Sequence, residues 1–347
     1  MASATLKDVA KYANVSQATV SRVLNGNTTV DEVMRDRVHA AILALGYQPN
    51  RAARRLRAPS STVIGLIISD VENPFFMPII RGVEDAAYAR NMNIILCNSD
   101  EDISKQSMYL DVMRAERVAG LILIPSPGTS SKSLNTLVQS GIGLTLIDRC
   151  LEGVTADTVK VDNVSGAYSA VKHVIDLGYR RIAIIIHSPN ISTGPERYEG
   201  YLKALNSAHI AFDPDLVKYG DISIESGYQA AYHLLNLPNP PDAIFASNNV
   251  MSMGALRAFR ELGKRVPEDI ALIGFDNLPW LGEFASPLTA ISQPSYELGQ
   301  EAVALLLRRI AQPSAPARTV ILQTTLIVRE SCGSSLTDDK RRKSLPE

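Results

Sequence analysis

From Thr62 to about Asp276 the chain alternates short, almost wholly apolar runs with amphipathic stretches of helical period. The runs are VIGLIIS, NIILCN, GLILIP and GLTLID, then TVKVD, RIAIII, LVKYG, AIFAS and IALIGFD. The stretches between them cover 76–90, 104–117, 130–140, 165–178, 196–209, 225–236 and 250–263. A strand apolar on both sides needs cover on both faces, and helices between successive strands supply it, so the pattern predicts parallel sheets. It falls into two series. These predict two similar α/β lobes with a cleft at the strand ends, where open α/β sheets bind ligands.

The first 45 residues carry a different pattern. Thr5 can cap a helix over Leu6–Ala13, with Leu6, Val9, Ala10 and Ala13 at helical spacing. Asn14-Val15 reads as a tight turn, Ser16 as the cap of a second helix ending near Asn25, and Asn25-Gly26-Asn27 as its stop. Asp31 or Glu32 opens a third helix, with Val38, Ile42 and Leu45 as its stripe and Gly46 at its end. Helix, short turn, helix and a supporting helix make an all-α helix-turn-helix head, whose second helix offers its N-terminal side chains to the major groove.

Charge separates head from body. Residues 1–59 hold nine Lys/Arg against four Asp/Glu, a surplus of +5, so with a chain total of −1 the remainder carries −6. A small basic module on an acidic body suits a polyanion-binding head. At 347 residues the chain has room for two or three domains. No apolar run reaches the ~18 residues of a membrane span, and the start MASATLKDVAKYA lacks a secretory pattern. The expected location is therefore the cytoplasm, on the nucleoid when the head is bound to DNA. Cys97, Cys150 and Cys332 are widely spaced and odd in number, and read as buried thiols. No P-loop, GxGxxG, nucleophile elbow or HExxH occurs, and the five histidines lack metal spacing, so neither enzyme, cofactor nor metal is expected.

The string TLKDVAKYANVSQATVSRVLNG followed by GYQPNRAARRL resembles the LacI-type repressors. The resemblance continues through IGLIISDVENPFF, VDNVSGAYSAVKHVIDLGYRRIAII, ERYEGYLKAL, AIFASNNVMSMGAL, PEDIALIGFDN and LIVRESC, covering about residues 5–332. It implies a helix-turn-helix head over 1–48, a hinge over 49–61, a body over 62–333 with two lobes of periplasmic-binding-protein type, and a polar tail over 334–347. It implies that Gln17, Ala18 and Arg22 face bases. Arg22 suits guanine, Gln17 suits adenine, and Ala18 suits a thymine methyl. Thr5, Ser16 and Thr19 suit phosphates, and Ser21 and Asn25 complete the candidate surface. In the hinge, Leu56 matches a minor-groove wedge. Ala53 is small enough for two hinge helices to meet, and Asn50, Arg54 and Arg55 can reach the DNA. A two-fold dimer on a palindromic operator follows, with its interface expected on the first lobe near the helix after Pro78.

For the cleft, the resemblance places Phe75, Phe76, Arg149, Thr193, Arg197, Ile222, Asn249, Asp276 and Gln293 around a small effector. Trp280 is a further candidate. Aromatic faces pack on rings, while Arg, Asn, Asp and Gln give oriented hydrogen bonds. Phe76 also suits the lobe core, Asp276 a cap, and Trp280 simple packing. Ile222 stands where some members carry an aromatic wall, and Ile191 where purine-type members place an arginine. Both departures point away from a purine and toward a sugar or sugar acid, since guanidinium forks suit carboxylates and vicinal oxygens. The competing reading is a cytoplasmic sugar-binding protein without a DNA-regulated role.

Overall fold

Two six-stranded sheets organise the body of this computed structural model, which describes residues 4–24, 29–47, 61–278 and 287–335. The described residues fall into two compact units, one ending at Ser61 and the other beginning at Thr62.

In the smaller unit, α1 (Leu6–Ala13), α2 (Gln17–Leu24) and α3 (Glu32–Leu45) surround a core of Val9, Ala13, Val20, Val23, Val38 and Ala41. Local chemistry sets their ends. Thr5 Oγ1 accepts from Asp8 N–H at 3.3 Å, while Asp8 accepts from Thr5 N–H at 2.9 Å, a reciprocal box that fixes the start of α1. Asn14 takes the left-handed conformation (φ 50°), which lets the chain turn sharply into α2. Asp31 caps α3, and Gly46 (φ 57°) ends it. The Arg37 guanidinium reaches back to the carbonyls of Ala13 and Asn14, locking α3 onto the turn.

In the larger unit, the first sheet runs β11-β5-β4-β3-β1-β2. Its strands are β1 (Val63–Ile68), β2 (Asn93–Asn98), β3 (Gly120–Leu123), β4 (Gly143–Ile147), β5 (Asp157–Val161) and β11 (Thr319–Leu322). Its helices are α4 (Phe76–Tyr88), α5 (Ile103–Ala115), α6 (Ser131–Gln139) and α11 (Ser295–Ala311). The second sheet runs β12-β10-β9-β8-β6-β7. It contains β6 (Ile182–His187), β7 (Val217–Gly220), β8 (Ala243–Ala246), β9 (Ala271–Phe275), β10 (Thr289–Ser292) and β12 (Thr325–Ile327). Around it lie α7 (Asn163–Asp176), α8 (Thr193–Ser207), α9 (Ile224–Leu235) and α10 (Asn249–Glu261).

Both sheets share one strand order, and all pairings are parallel except β10 with β12. The chain passes between lobes three times, at 161–163, 292–295 and 322–325. The second sequence series opens on TVKVD, but that strand, β5, belongs to the first sheet, between β4 and β11, so the lobes divide after the fifth strand and not the fourth, and α11 and β11 also return to the first lobe. This return is dictated by packing. Leu298, Ala302, Val303 and Leu306 of α11 are buried in one cluster with Ile64, Leu66, Ile79 and Val83. Two glycines allow α11 to cross α4 closely, since a Cβ at Gly82 would lie 2.1 Å from the Tyr296 carbonyl and one at Gly299 2.3 Å from that of Ile79.

The three thiols are not all buried. Cys332 is, Cys97 on the edge strand β2 is half-buried, and Cys150, after the turn that ends β4, is exposed. Among the described residues, no helix is long and apolar enough to cross a membrane, and no group of three or more acidic, His or Cys side chains could hold a metal ion.

Candidate binding sites: the lobe cleft and the exposed face of α2

Asp148 and Asp276 occupy equivalent positions in the two lobes, each directly after the fourth strand in chain order of its parallel series, β4 or β9. Both take positive φ, 66° and 72°, which is costly for a residue with a Cβ but least so for Asp and Asn. At Asp148 the turn is closed by Arg149 N–H donating to the Ile147 carbonyl at 2.7 Å. The result is two buried carboxyls facing one cleft of about 290 Å³ of empty space, part of it open to solvent.

The cleft is lined by Asn73, Phe75, Phe76, Asp148, Arg149, His187, Thr193, Arg197, Ile222, Asn248 and Asp276. Thr193 and Arg197 share a face because they are four residues apart on α8. That helix starts three residues earlier than its periodicity predicts. Pro195 falls in the first turn, where no intrahelical N–H bond is lost.

Arg197 is 3% exposed. Its Nε donates to Asn163 Oδ1 at 2.9 Å and its Nη1 to the Ser247 carbonyl at 2.6 Å, and Asp276 lies 3.9 Å from Nη2. The guanidinium carbon sits 3.7 Å from the Phe275 ring centroid, a cation–π contact in a dry setting. Burial lowers its pKa from the ordinary arginine range, and Asp276 and Asp148 oppose that shift. Arg149 donates from both terminal nitrogens to Glu101, at 2.6 and 2.7 Å, and also to the Pro125 carbonyl at 3.0 Å.

His187 is buried with Nε2 2.9 Å from Thr193 Oγ1. Burial, and then Arg197 and Arg149, push its pKa well below the usual histidine range, so it is neutral at pH 7. Burial raises the Asp276 carboxyl, against the pull of Arg197 and the Gln293 hydrogen bond. Asp148 rises to about 6, with burial the main cause, Arg149 and Arg197 opposing it and Asp276 and Glu101 adding to it.

A sign follows from the Asp148 shift. Because the folded carboxyl binds its proton more tightly than the unfolded one, Asp148 costs stability as pH rises from about 4 to about 6, and the full cost remains above that window. Asp148→Asn is therefore expected to raise stability by on the order of 2 kcal/mol at pH 7.5 and to change it little at pH 4. Urea titrations at both pH values check this. A stability difference independent of pH would exclude the assignment.

Seven of the sequence-selected cleft residues line the cleft together: Phe75, Phe76, Arg149, Thr193, Arg197, Ile222 and Asp276. Phe75 and Phe76 are also part of the first lobe's core and meet edge to face at 5.0 Å, so lining and packing coincide there. Asn249 and Gln293 do not line the cleft but bond to residues that do. Asn249 Nδ2 donates across the lobes to Asn73 Oδ1 at 2.8 Å, and Gln293 Nε2 donates to Asp276. Asn73, Asp148, His187 and Asn248 line it without having been selected, and Glu101 and Asn163 orient its two arginines. Asp148 stands beside Arg149, and its place after an apolar run was the available signal. Trp280 lies outside the described residues, as do Asn25 and the hinge residues Asn50, Ala53, Arg54, Arg55 and Leu56.

On α2, Gln17, Ala18 and Arg22 are exposed, whereas Thr19 and Ser21 are half-buried. Ser16 Oγ accepts from Thr19 N–H at 3.0 Å and lies 2.9 Å from Thr19 Oγ1, so both hydroxyls help start the helix. Thr5 Oγ1 is held within its own capping box.

The family described as bacterial regulatory proteins, lacI family, matches residues 5–50, and that described as periplasmic binding protein-like domain matches residues 171–332. The HTH-type transcriptional repressor PurR of Pectobacterium carotovorum is 38% identical over 98% of this chain and 100% of its own. A Lac repressor dimer bound to operator and an anti-inducer is similar in structure, with a TM-score of 0.84 and 27% identity over 95% of this chain and 99% of that one. A complex of the transcriptional regulator CelR with cellobiose gives a TM-score of 0.71 and 32% identity over 94% and 99% of the two chains. The exposed helix-turn-helix face, the two-lobed body with its polar cleft, and relatives that span nearly the whole chain lead to one assignment: this protein belongs to the LacI family, as a DNA-binding transcriptional repressor with an effector-binding body and not an enzyme.

Proposed function

We propose that the chain represses transcription as a homodimer on a palindromic operator, with Gln17, Ala18 and Arg22 reading bases and the cleft taking a carbohydrate effector. The observation that carries the effector reading is the cleft lining. It places two phenyl rings beside interleaved guanidinium, carboxyl and amide groups at the strand ends, a lining suited to a ring with many hydroxyls. Ile191 and Ile222 add no hydrogen-bonding edge for a purine base, and CelR, at 32% identity, holds cellobiose. The hinge at 49–61 and the coupling of cleft occupancy to operator affinity belong to the same proposal, as does action in the cytoplasm. Dimerisation is supported by exposed apolar side chains on neighbouring elements of the first lobe, Met77 and Tyr88 on α4 and Leu96 on β2.

The test is a thermal-shift screen of sugars, sugar acids and nucleosides on the full chain, with each hit retested for operator affinity in a labelled-duplex assay. A sugar hit that changes operator affinity supports the reading. A nucleobase hit overturns the effector class, and a chain that ignores every palindromic duplex at low salt is a solute binder instead. Arg22→Ala is expected to weaken operator binding by about 1–3 kcal/mol and to reduce discrimination at a single base pair, whereas loss of a phosphate contact alone would weaken all sequences equally. Equal weakening on a scrambled duplex would remove Arg22 from the reading set.

A further inference from the structure

The cleft's two arginines are not equally free to meet a ligand. Arg149 is 4% exposed, and its two terminal nitrogens face both oxygens of Glu101 at 2.6 and 2.7 Å. A two-pronged pair of this kind spends the guanidinium charge on a resident carboxylate. Glu101 is held in position by its own backbone. It takes positive φ (55°) after Asp100 (51°), and its N–H donates to the Ser69 carbonyl at 2.8 Å.

What Arg149 leaves unspent includes its buried Nε–H, which has no hydrogen-bond partner and lies 3.8 Å from Asp148 Oδ2. A buried acceptor on a lining residue is also idle, Asp148 Oδ1. A ligand carboxylate brings acceptors only, so it could meet that donor while facing the Asp148 carboxyl with its own charge. A hydroxyl both donates and accepts, and suits both. The charge balance agrees, because Glu101, Asp148 and Asp276 stand against Arg149 and Arg197.

We infer that Glu101 is a specificity-determining positioning residue: by neutralising Arg149 it makes the cleft select an uncharged polyhydroxy compound and reject the corresponding sugar acid. This narrows the carbohydrate reading above and rests on it.

The experiment is calorimetric titration of the full-length protein, as wild type, Glu101→Gln and Glu101→Asp, with matched pairs: glucose with gluconate and glucuronate, galactose with galacturonate, ribose with ribonate. In the wild type, the neutral member of a binding pair is expected to bind at least about tenfold more tightly than its acid. Glu101→Gln keeps the side-chain shape but frees the Arg149 charge, and is expected to move that ratio toward the acid by about tenfold or more, with Glu101→Asp restoring the neutral preference. Equal weakening of both members by Glu101→Gln would mean a purely structural role and overturn the inference. An acid that binds wild type as tightly as its neutral partner would overturn it while leaving the carbohydrate reading intact. Failure of every pair to bind any of the three proteins would remove both.

Discussion

Asp157→Ala is expected to lower the stability of the body by about 3–5 kcal/mol, the cost of leaving a buried charge without its partner. Asp157 opens β5 with a fully buried side chain. Arg309 of α11 donates to it from Nε and Nη2 at 2.9 and 3.1 Å, Arg308 approaches at 3.4 Å, and Arg318 N–H donates at 2.8 Å just before β11. The end of α11 and the lead into β11 are therefore tied to one carboxylate, on a strand residue 152 positions before Arg309. Without it, Arg309, which is 7% exposed, keeps only the carbonyls of Pro313, Ala315 and Pro316. Urea unfolding monitored by circular dichroism checks the value. Because apolar replacement of a whole buried pair is often neutral, Asp157→Leu combined with Arg309→Met should recover most of the loss. A single-variant effect below about 1 kcal/mol would show that water reaches the pair and that it holds little.

Arg197→Ala should have the largest effect on ligand response. The guanidinium is the buried cation nearest Asp276, and it also holds Asn163, the Ser247 carbonyl and the Phe275 ring. Loss of this charge, together with the two hydrogen bonds that shape the cleft wall around it, is expected to weaken effector binding by about 3 kcal/mol or more, roughly a hundredfold. Operator binding without effector should stay within about threefold of wild type, since α2 belongs to the other compact unit. Titrating the sugar hit against both proteins, and then measuring operator affinity with and without it, reads both quantities. An undiminished effector response in Arg197→Ala would place the effector elsewhere.

The head was legible in the sequence because its determinants are local. Thr5, Asn14, Asp31 and Gly46 each set a helix end within a few residues, and the apolar stripes between them need only the helical period. The strands of the body were legible for a similar reason, since a run such as VIGLII is buried along its whole length. The lobe assignment of α11 was not, because it depends on the Gly82–Gly299 crossing, where the two residues are far apart in sequence. The cleft shows the same divide. Phe75, Thr193 and Arg197 could be picked out by resemblance to other chains. The surroundings of the Asp148 carboxyl and the His187 imidazole arise only when strand ends from both lobes enclose them, and the hold of Glu101 on Arg149 only when the ends of β2 and β4 meet within the first lobe. No spacing rule announces a buried polar group whose partner lies 48 residues away, as Glu101 does from Arg149.

The return of α11 and β11 to the first lobe has a consequence for synthesis. That lobe begins at Val63, but the ribosome must deliver residues up to Leu322 before its last helix and edge strand are available. Until then the surfaces of Ile64, Leu66, Ile79 and Val83 that α11 later covers stay open, so the nascent lobe is exposed to aggregation and to chaperones for most of translation. A stop codon anywhere before residue 295 would deprive the first lobe of its closing helix and the second of β12 in a single event. Truncated products should accordingly be cleared as unfolded chains and not accumulate as half-built effector domains.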